Sequence, residues 1–379
     1  MGKFIFLILC LEGAVLSFNV SATSAMLPSI AKDFGLEPFY LSAIVWLYML
    51  PYGIGALFYG PLVRTFNIKF VELICFFCFC LANLFVAISK NIFVLYLARF
   101  FMGVFGASVI PLVLILIAKT VGKKNRGKFV GIFFSITFIA SLLGLFLSGF
   151  IYWRFIFLIP AIFGFLLLLT MVFSFPDFSF PKENFKIRYL ETFKDKKIFS
   201  IFSYIFLISM LYHGVQQWLG VYFSKEFSFD QRTISFLISL SSLSGIFGEA
   251  IGGWLSDFLG RIKTINLGIF LMIISVFLLI FKLPIIILSV VLIIWGLGWT
   301  FNHAGLSTIL TDLPKKFLNE VASLNSSVRF FSGGCGVFLA GIFMRKSFIF
   351  GLIFLGFLFI ALRFSSRYLL IEEEVLNVS

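Results

Sequence analysis

Charge is the first thing this sequence is short of. Asp, Glu, Lys and Arg make up only 12% of its 379 residues, about half the share that a soluble domain carries, and too little to clothe a water-facing surface. Histidine is scarcer still, with His213 and His303 the whole complement. Cysteine offers no framework: Cys10, Cys75, Cys78, Cys80 and Cys335 all sit inside apolar runs, and the Cys75–Cys78 spacing has no second pair or nearby histidine to complete a metal site. They read as small buried hydrophobes. No metal-ligand spacing and no nucleophile constellation is present, so neither enzymatic chemistry nor a bound cofactor is expected. The net charge of +13 has no soluble basic domain behind it, which excludes nucleic acid as a partner.

What fills the chain instead is apolar. Hydrophobic residues reach 61% and the mean hydropathy is +1.09, the composition of a polytopic membrane protein. Twelve mainly apolar segments are long enough to cross about 30 Å of hydrocarbon as helices: 4–30, 40–61, 70–89, 92–118, 128–151, 155–175, 199–222, 233–256, 264–281, 284–310, 319–343 and 347–369. The first resembles a secretory signal with a small-residue cleavage site, but Glu12 in its apolar core and its length argue for a retained helix.

The longest polar interval splits the helices six and six. The predicted organisation is therefore all-α, with a six-helix bundle over 1–175, a basic linker over 176–198, a second bundle over 199–370 and an acidic tail over 371–379. With the N-terminus cytoplasmic, 20 cations fall on that face and 8 on the other, so both termini are expected in the cytoplasm. The surplus charge then serves topology and attraction to anionic lipid.

The two halves look related. Setting Gly60 to Arg64 against Gly253 to Asp257 gives an offset of 193 that also carries Gly103 onto Gly296. The series Ala140, Gly144, Ser148, Gly149 recurs as Ser332, Gly336, Ala340, Gly341 at an offset of 192. A parallel repeat with its axis along the membrane normal follows.

Because lipid offers no hydrogen bonds, polar side chains within spans should face protein or a water-filled cavity. Helices one, four, seven and ten carry Glu12, Asn19, Thr23, Arg99, His213, Gln216, Gln217, Asn302 and His303, and are expected to line a cavity. Three, six, nine and twelve are nearly pure Phe, Ile, Leu and Val, with Asn83 and Glu72 among few exceptions, and are expected to face lipid. Glu12, Asn19 and Thr23 fall on one stripe, as do His213, Gln216 and Gln217. Glu12 and Arg99 lie at depths that differ by about 7 Å, close enough for the guanidinium to tune a proton on the carboxylate. Glu249, in helix eight, is expected to pack or gate near the following loop.

That loop, Gly252 to Lys263, is the most particular stretch of the chain. It joins two apolar segments through Gly253, Asp257, Gly260 and Arg261, with Gly260 suited to the positive φ of a tight reversal. It resembles the loop between the second and third helices of each half of major facilitator superfamily transporters. Leu97 to Ala107, containing Arg99 and Gly103, is similar to the fourth-helix arginine motif of that family, and Ala140 to Gly149 to the glycine-rich fifth-helix motif of its antiporters. Tyr152 to Phe157, Leu27 to Gly35 and Ala322 to Asn325 also look like the drug:proton antiporter branch, which contains bacterial multidrug and sugar efflux proteins. Met102 stands where glutamine is frequent, Leu145 where proline is expected, and in the first-half loop Arg64 and Asn67 replace an acid and a glycine.

The resemblance implies a monomeric twelve-helix secondary transporter in a cell membrane, a bacterial inner membrane by the branch, that exports small organic, drug-like molecules and is driven by the proton gradient. Within it Glu12 and Arg99 would couple protons, the polar residues of helices one, seven and ten would contact substrate, the Gly253–Arg261 loop would gate, and Ala140, Gly144 and Gly149 would pack helices. A sugar, organic-anion or other metabolite transporter of the same fold remains open, and a non-transporting receptor lacks the soluble domain it would need.

Overall fold

The computed structural model describes residues 2–122, 125–177, 189–311, 313 and 318–370. Much of the basic linker (178–188), the cations Lys123, Lys124, Lys315 and Lys316, and the acidic tail lie outside the described residues, as does the side chain of Arg64. Twelve helices have the length and apolarity of membrane spans: α1 Lys3–Ala25, α2 Pro38–Val63, α3 Ile68–Ile88, α4 Ile92–Thr120, α5 Arg126–Leu147, α6 Trp153–Ser174, α7 Lys196–Phe227, α8 Gln231–Leu259, α9 Arg261–Leu278, α10 Ile285–Leu310, α11 Ser323–Met344 and α12 Phe348–Leu369. The count and order match the sequence reading. The first span differs in one respect, being interrupted by turns over 18–21, with a separate short helix at Leu27–Phe34.

Local chemistry fixes where these helices begin. Asn67, Asn91, Asp195, Asp230 and Ser347 each cap a span by accepting a backbone N–H two or three residues on, satisfying donors that the first turn leaves free. At Asp230 the hydrogen bonds from the Thr233 side chain and backbone hold the carboxyl below the usual carboxylate range. Gly35 (φ 63°) ends the Leu27–Phe34 helix in the left-handed region.

The internal repeat is physical. A Cβ on Gly144 of α5 would collide with the carbonyl of Phe18 in α1, and one on Gly336 of α11 would collide with the carbonyl of Met210 in α7. Glycine and carbonyl are both displaced by 192 residues. Gly103 of α4 likewise meets the carbonyl of Tyr48 in α2, and Gly296 of α10 that of Ser241 in α8, both displaced by 193. Equivalent helix pairs in the two halves therefore touch backbone to backbone at equivalent positions, which only a glycine permits.

Between the halves, α2 runs along α11, where Gly53 packs on the Phe331 backbone and Tyr52 stacks on Phe330 at 4.0 Å. At the ends opposite the linker the contacts multiply. Ser148 and Ser235 share a hydrogen bond of 2.9 Å just beyond α5 and in α8, Gln231 donates to the Ala25 carbonyl, and Arg345 donates to the Tyr40 hydroxyl at 2.6 Å. Towards the linker side Gly127 and Gly131 of α5 and Gly253 of α8 have open space where a Cβ would stand, while the α2–α11 seam continues, a Cβ on Gly60 standing 3.8 Å from the Ser323 hydroxyl.

Candidate functional site

In the first half the polar stripe of α1 exists as the sequence spacing predicts, but it faces α3. Glu12 and Glu72 are both fully buried and stand close enough for each to feel the other's charge. None of their four carboxyl oxygens has a hydrogen-bond partner among the described residues. Two turns further along, Asn19 donates to Asn83 at 2.6 Å, and Thr23 donates to the Asn19 carbonyl at 2.7 Å. The expectation that α3 simply faces lipid is thus corrected. Its outer residues Phe70, Ile74, Phe77 and Phe85 are exposed, while Glu72 and Asn83 are sealed against α1. Glu72 was legible: it sits eleven residues, three turns, before Asn83, so the two share a face as Glu12 and Asn19 do.

Arg99 is not the partner of Glu12. Its Nε donates to the Ile44 carbonyl of α2 at 2.7 Å, and its guanidinium lies 4.5 Å from the centre of the Tyr48 ring and 5.7 Å from that of Phe157. The depth estimate set the two residues at compatible heights but carried no angular information. Arg99 points towards α2, whereas Glu12 points towards α3.

The second half holds the open polar centre. In α7 Tyr212 stacks face to face on Trp299 of α10, with ring centres 3.9 Å apart, and on Trp295 at 5.1 Å. His213 stands beside Tyr212 and Trp299, with its Nδ1 unpartnered among the described residues. His303 Nδ1 lies 2.8 Å from a carboxylate oxygen of Glu249, each side chain about a third exposed. Arg329 of α11 is 92% buried, its Nε donating to Asn325 at 2.8 Å and its guanidinium 5.8 Å from the centre of the Trp299 ring. An apolar hollow of about 390 Å³ between Phe193, Phe202, Phe206 and Val328 lies nearer the linker end of α7 and has none of this chemistry.

Other residues expected in the cavity act as framework. Gln216 accepts from Trp295 Nε1 at 2.7 Å, and Asn302 is fully buried and donates to the Tyr204 hydroxyl at 2.7 Å. Gln217, half-buried, ends a helical stretch of α7 with its N–H on the His213 carbonyl. The pairing of His303 with Glu249 is what linear reading missed. Glu249 was assigned to the loop below it, yet α8 and α10 pack closely and bring it beside the histidine.

In the Gly253–Arg261 loop, Gly260 takes φ +90° as expected, and Asp257 is exposed at the end of α8. Gly252, not Gly253, provides the close approach, packing on Phe301 and Ala304 of α10. Asn67, 193 residues before Gly260, takes φ −62° and caps α3, so the first reversal has no need of a glycine. Of the fifth-helix motif, Gly144 abuts α1 and Gly149 abuts Arg232 and Ser235 of α8, while Ala140 is half-buried. The stretches around Asp33 and Trp153 also come together, since Trp153 Nε1 donates to Asp33 at 2.8 Å, joined by the Tyr152 hydroxyl.

Two repeated six-helix bundles around a polar interior are the architecture of a class of membrane transport proteins. Comparison with known proteins narrows it. The model of the Major Facilitator Superfamily matches residues 9–337, and the chain belongs to that family as a multi-pass membrane transporter. It is 27% identical over 314 residues to the uncharacterised MFS-type transporter YwfA of Bacillus subtilis, covering 79% of this chain and 75% of that one. It is 29% identical to the citrinin biosynthesis cluster MFS transporter of Monascus ruber, but over only 41% of this chain and 33% of the other. Among solved structures, a bacterial homologue of the human lysosomal transporter Spinster, inward-facing and unoccupied, superposes with a TM-score of 0.77 at 14% identity, covering 98% of both chains. The human organic anion transporter MFSD10 does so with 0.74 at 14% identity, over 97% of this chain and 98% of that one. At such identities these likenesses concern the fold alone.

Proposed function

We propose that this transporter exports small amphipathic organic molecules in exchange for protons, the two six-helix halves rocking about a central site. The observation that carries the reading is the Glu12 carboxyl, sealed in the membrane interior beside the Glu72 carboxyl and without a hydrogen-bond partner among the described residues. Two carboxyls bond to one another only through a proton, and an ionisable group within a span is functional by default. Resemblance of the fourth- and fifth-helix stretches to those of drug:proton antiporters supports the outward direction. Arg99 then serves α2 and α4 as a strut, through its bond to the Ile44 carbonyl. The surplus of cations on one face supports both termini lying in the cytoplasm of a bacterial cell. Protons and the transported molecule are the partners, lipid the surroundings, and the monomer the working unit.

The test is proton movement in proteoliposomes under an imposed pH gradient, with lipophilic cations, neutral drugs, sugars and organic acids added in turn. Glu12→Gln is expected to abolish substrate-triggered proton flux while substrate binding persists. Full activity in that variant would remove the coupling role. An organic-anion cargo is a second reading, and Arg329 favours it.

A further inference from the structure

Arg329 has an unusual position for a buried cation. It is 92% buried, yet both terminal nitrogens of its guanidinium lack an acceptor among the described residues, and only Nε is satisfied, by Asn325. A buried charged donor without a partner is costly. The acid whose charge reaches it is Glu249, but Glu249 holds a carboxylate oxygen 2.8 Å from His303 and makes no ion pair with Arg329. The free edge of the guanidinium is the Nη1–Nη2 edge, whose two parallel N–H groups match the two oxygens of a carboxylate.

The guanidinium carbon lies 5.8 Å from the centre of the Trp299 ring, which is stacked on Tyr212, with the His213 ring and its unpartnered Nδ1 next to both. Trp299, Tyr212 and His213 are all half-buried, so this wall of rings is not closed by protein. Counted from the span ends nearest the linker, Trp299 lies about 17 Å deep, Glu249 about 15 Å and the Arg329 backbone about 9 Å. The long Arg329 side chain brings its guanidinium to the level of the Trp299 ring.

We infer that the second half carries a binding site for an aromatic carboxylate, whose carboxylate bonds the Nη edge of Arg329 while its ring lies against Trp299. The site rests on the transporter reading above and names the class of molecule carried. Arg329 is the recognition residue for charge, Trp299 for the flat ring, and Asn325 positions the guanidinium by holding Nε. Of neutral, cationic and anionic amphipathic molecules, only the carboxylate both accepts from the two parallel N–H groups and offsets the buried charge.

The experiment is isothermal titration of the purified full-length protein in detergent at neutral pH with three probes of one shape: 2-naphthoate, 2-naphthylmethanol and 2-naphthylmethylammonium. Naphthoate is expected to bind at least about tenfold more tightly than either other probe, the return from two charge-assisted hydrogen bonds. Arg329→Gln should bring naphthoate down to the level of the alcohol, Arg329→Lys should recover part of the loss, and Trp299→Ala should weaken naphthoate and alcohol together. Equal binding of naphthoate and alcohol to the wild-type protein, tighter binding of the ammonium, no binding of any probe, or naphthoate binding undiminished in Arg329→Gln would each overturn the assignment. The wild-type comparison decides the matter even where a variant fails to fold. Because the titration uses no gradient, tight naphthoate binding without proton exchange would sink the antiport reading and leave this site standing. Proton exchange with drugs but no preference for naphthoate would do the reverse.

Discussion

At the residue scale the facing carboxyls of Glu12 and Glu72 carry the sharpest expectation. Glu72→Gln leaves an amide able to donate to the Glu12 carboxyl, whereas Glu72→Ala leaves that carboxyl buried and alone. Loss of one partner of a buried hydrogen bond costs about 1–3 kcal/mol, so the alanine variant is expected to melt well below the glutamine variant in the same detergent. Equal melting temperatures would mean that the two carboxyls do not support one another. Reading the sequence found Glu12 because it interrupts an apolar helix. It passed over Glu72, which falls near a helix end where charges are common. The stripe of Glu12, Asn19 and Thr23 was legible because it depends on periodicity alone. What that stripe faces was not, because the neighbour of a helix is set by packing across the bundle. The same limit explains Arg99, whose depth can be counted along its helix but whose direction cannot, and Glu249, whose partner His303 lies 54 residues away along the chain.

At the scale of helices, glycine placement decides how closely spans pack, and the sequence carried this almost in full. The 192- and 193-residue offsets read from Gly103, Gly144, Gly296 and Gly336 are the offsets of the backbone contacts those glycines make. Gly144→Ala and Gly336→Ala each drive a methyl into a carbonyl of the neighbouring helix, a form of overpacking that typically costs about 1–3 kcal/mol. The two losses should be similar because the contacts are equivalent. Gly131→Ala and Gly253→Ala meet open space within helices, and the gain in helix propensity makes them neutral or stabilising by up to about 1 kcal/mol. Melting temperatures of the four variants check the pattern. A Gly144→Ala protein as stable as Gly131→Ala would show that the close approach of α1 and α5 is not needed. One loop departs from the repeat for a reason visible in the backbone. Gly260 uses a positive φ, and Asn67 solves the same reversal by capping the next helix.

At the scale of the molecule, α5 and α8 meet at their ends away from the linker, a contact that sequence symmetry could not reveal because it belongs to a state and not to the fold. If rocking of the halves moves substrate, those ends must separate in each cycle. Ser148 and Ser235 sit at that junction with their hydroxyls in hydrogen-bond contact at 2.9 Å, a proximity that suits the short Cβ separation a disulfide needs. In a Ser148→Cys, Ser235→Cys double variant with a protease site placed in the central linker, mild oxidation is expected to tie the halves together. After cleavage they would migrate as one species until reduced. Transport of whatever substrate the proteoliposome screen identifies should stop on oxidation and return on reduction, with the oxidised wild-type chain as the control for Cys10, Cys75, Cys78, Cys80 and Cys335. Binding from the linker side should survive the cross-link, because the bridge holds a contact that is already made. Undiminished transport by the cross-linked protein would rule out separation of α5 from α8 as a step of the cycle, and would move the search for the opening motion to the α2–α11 seam.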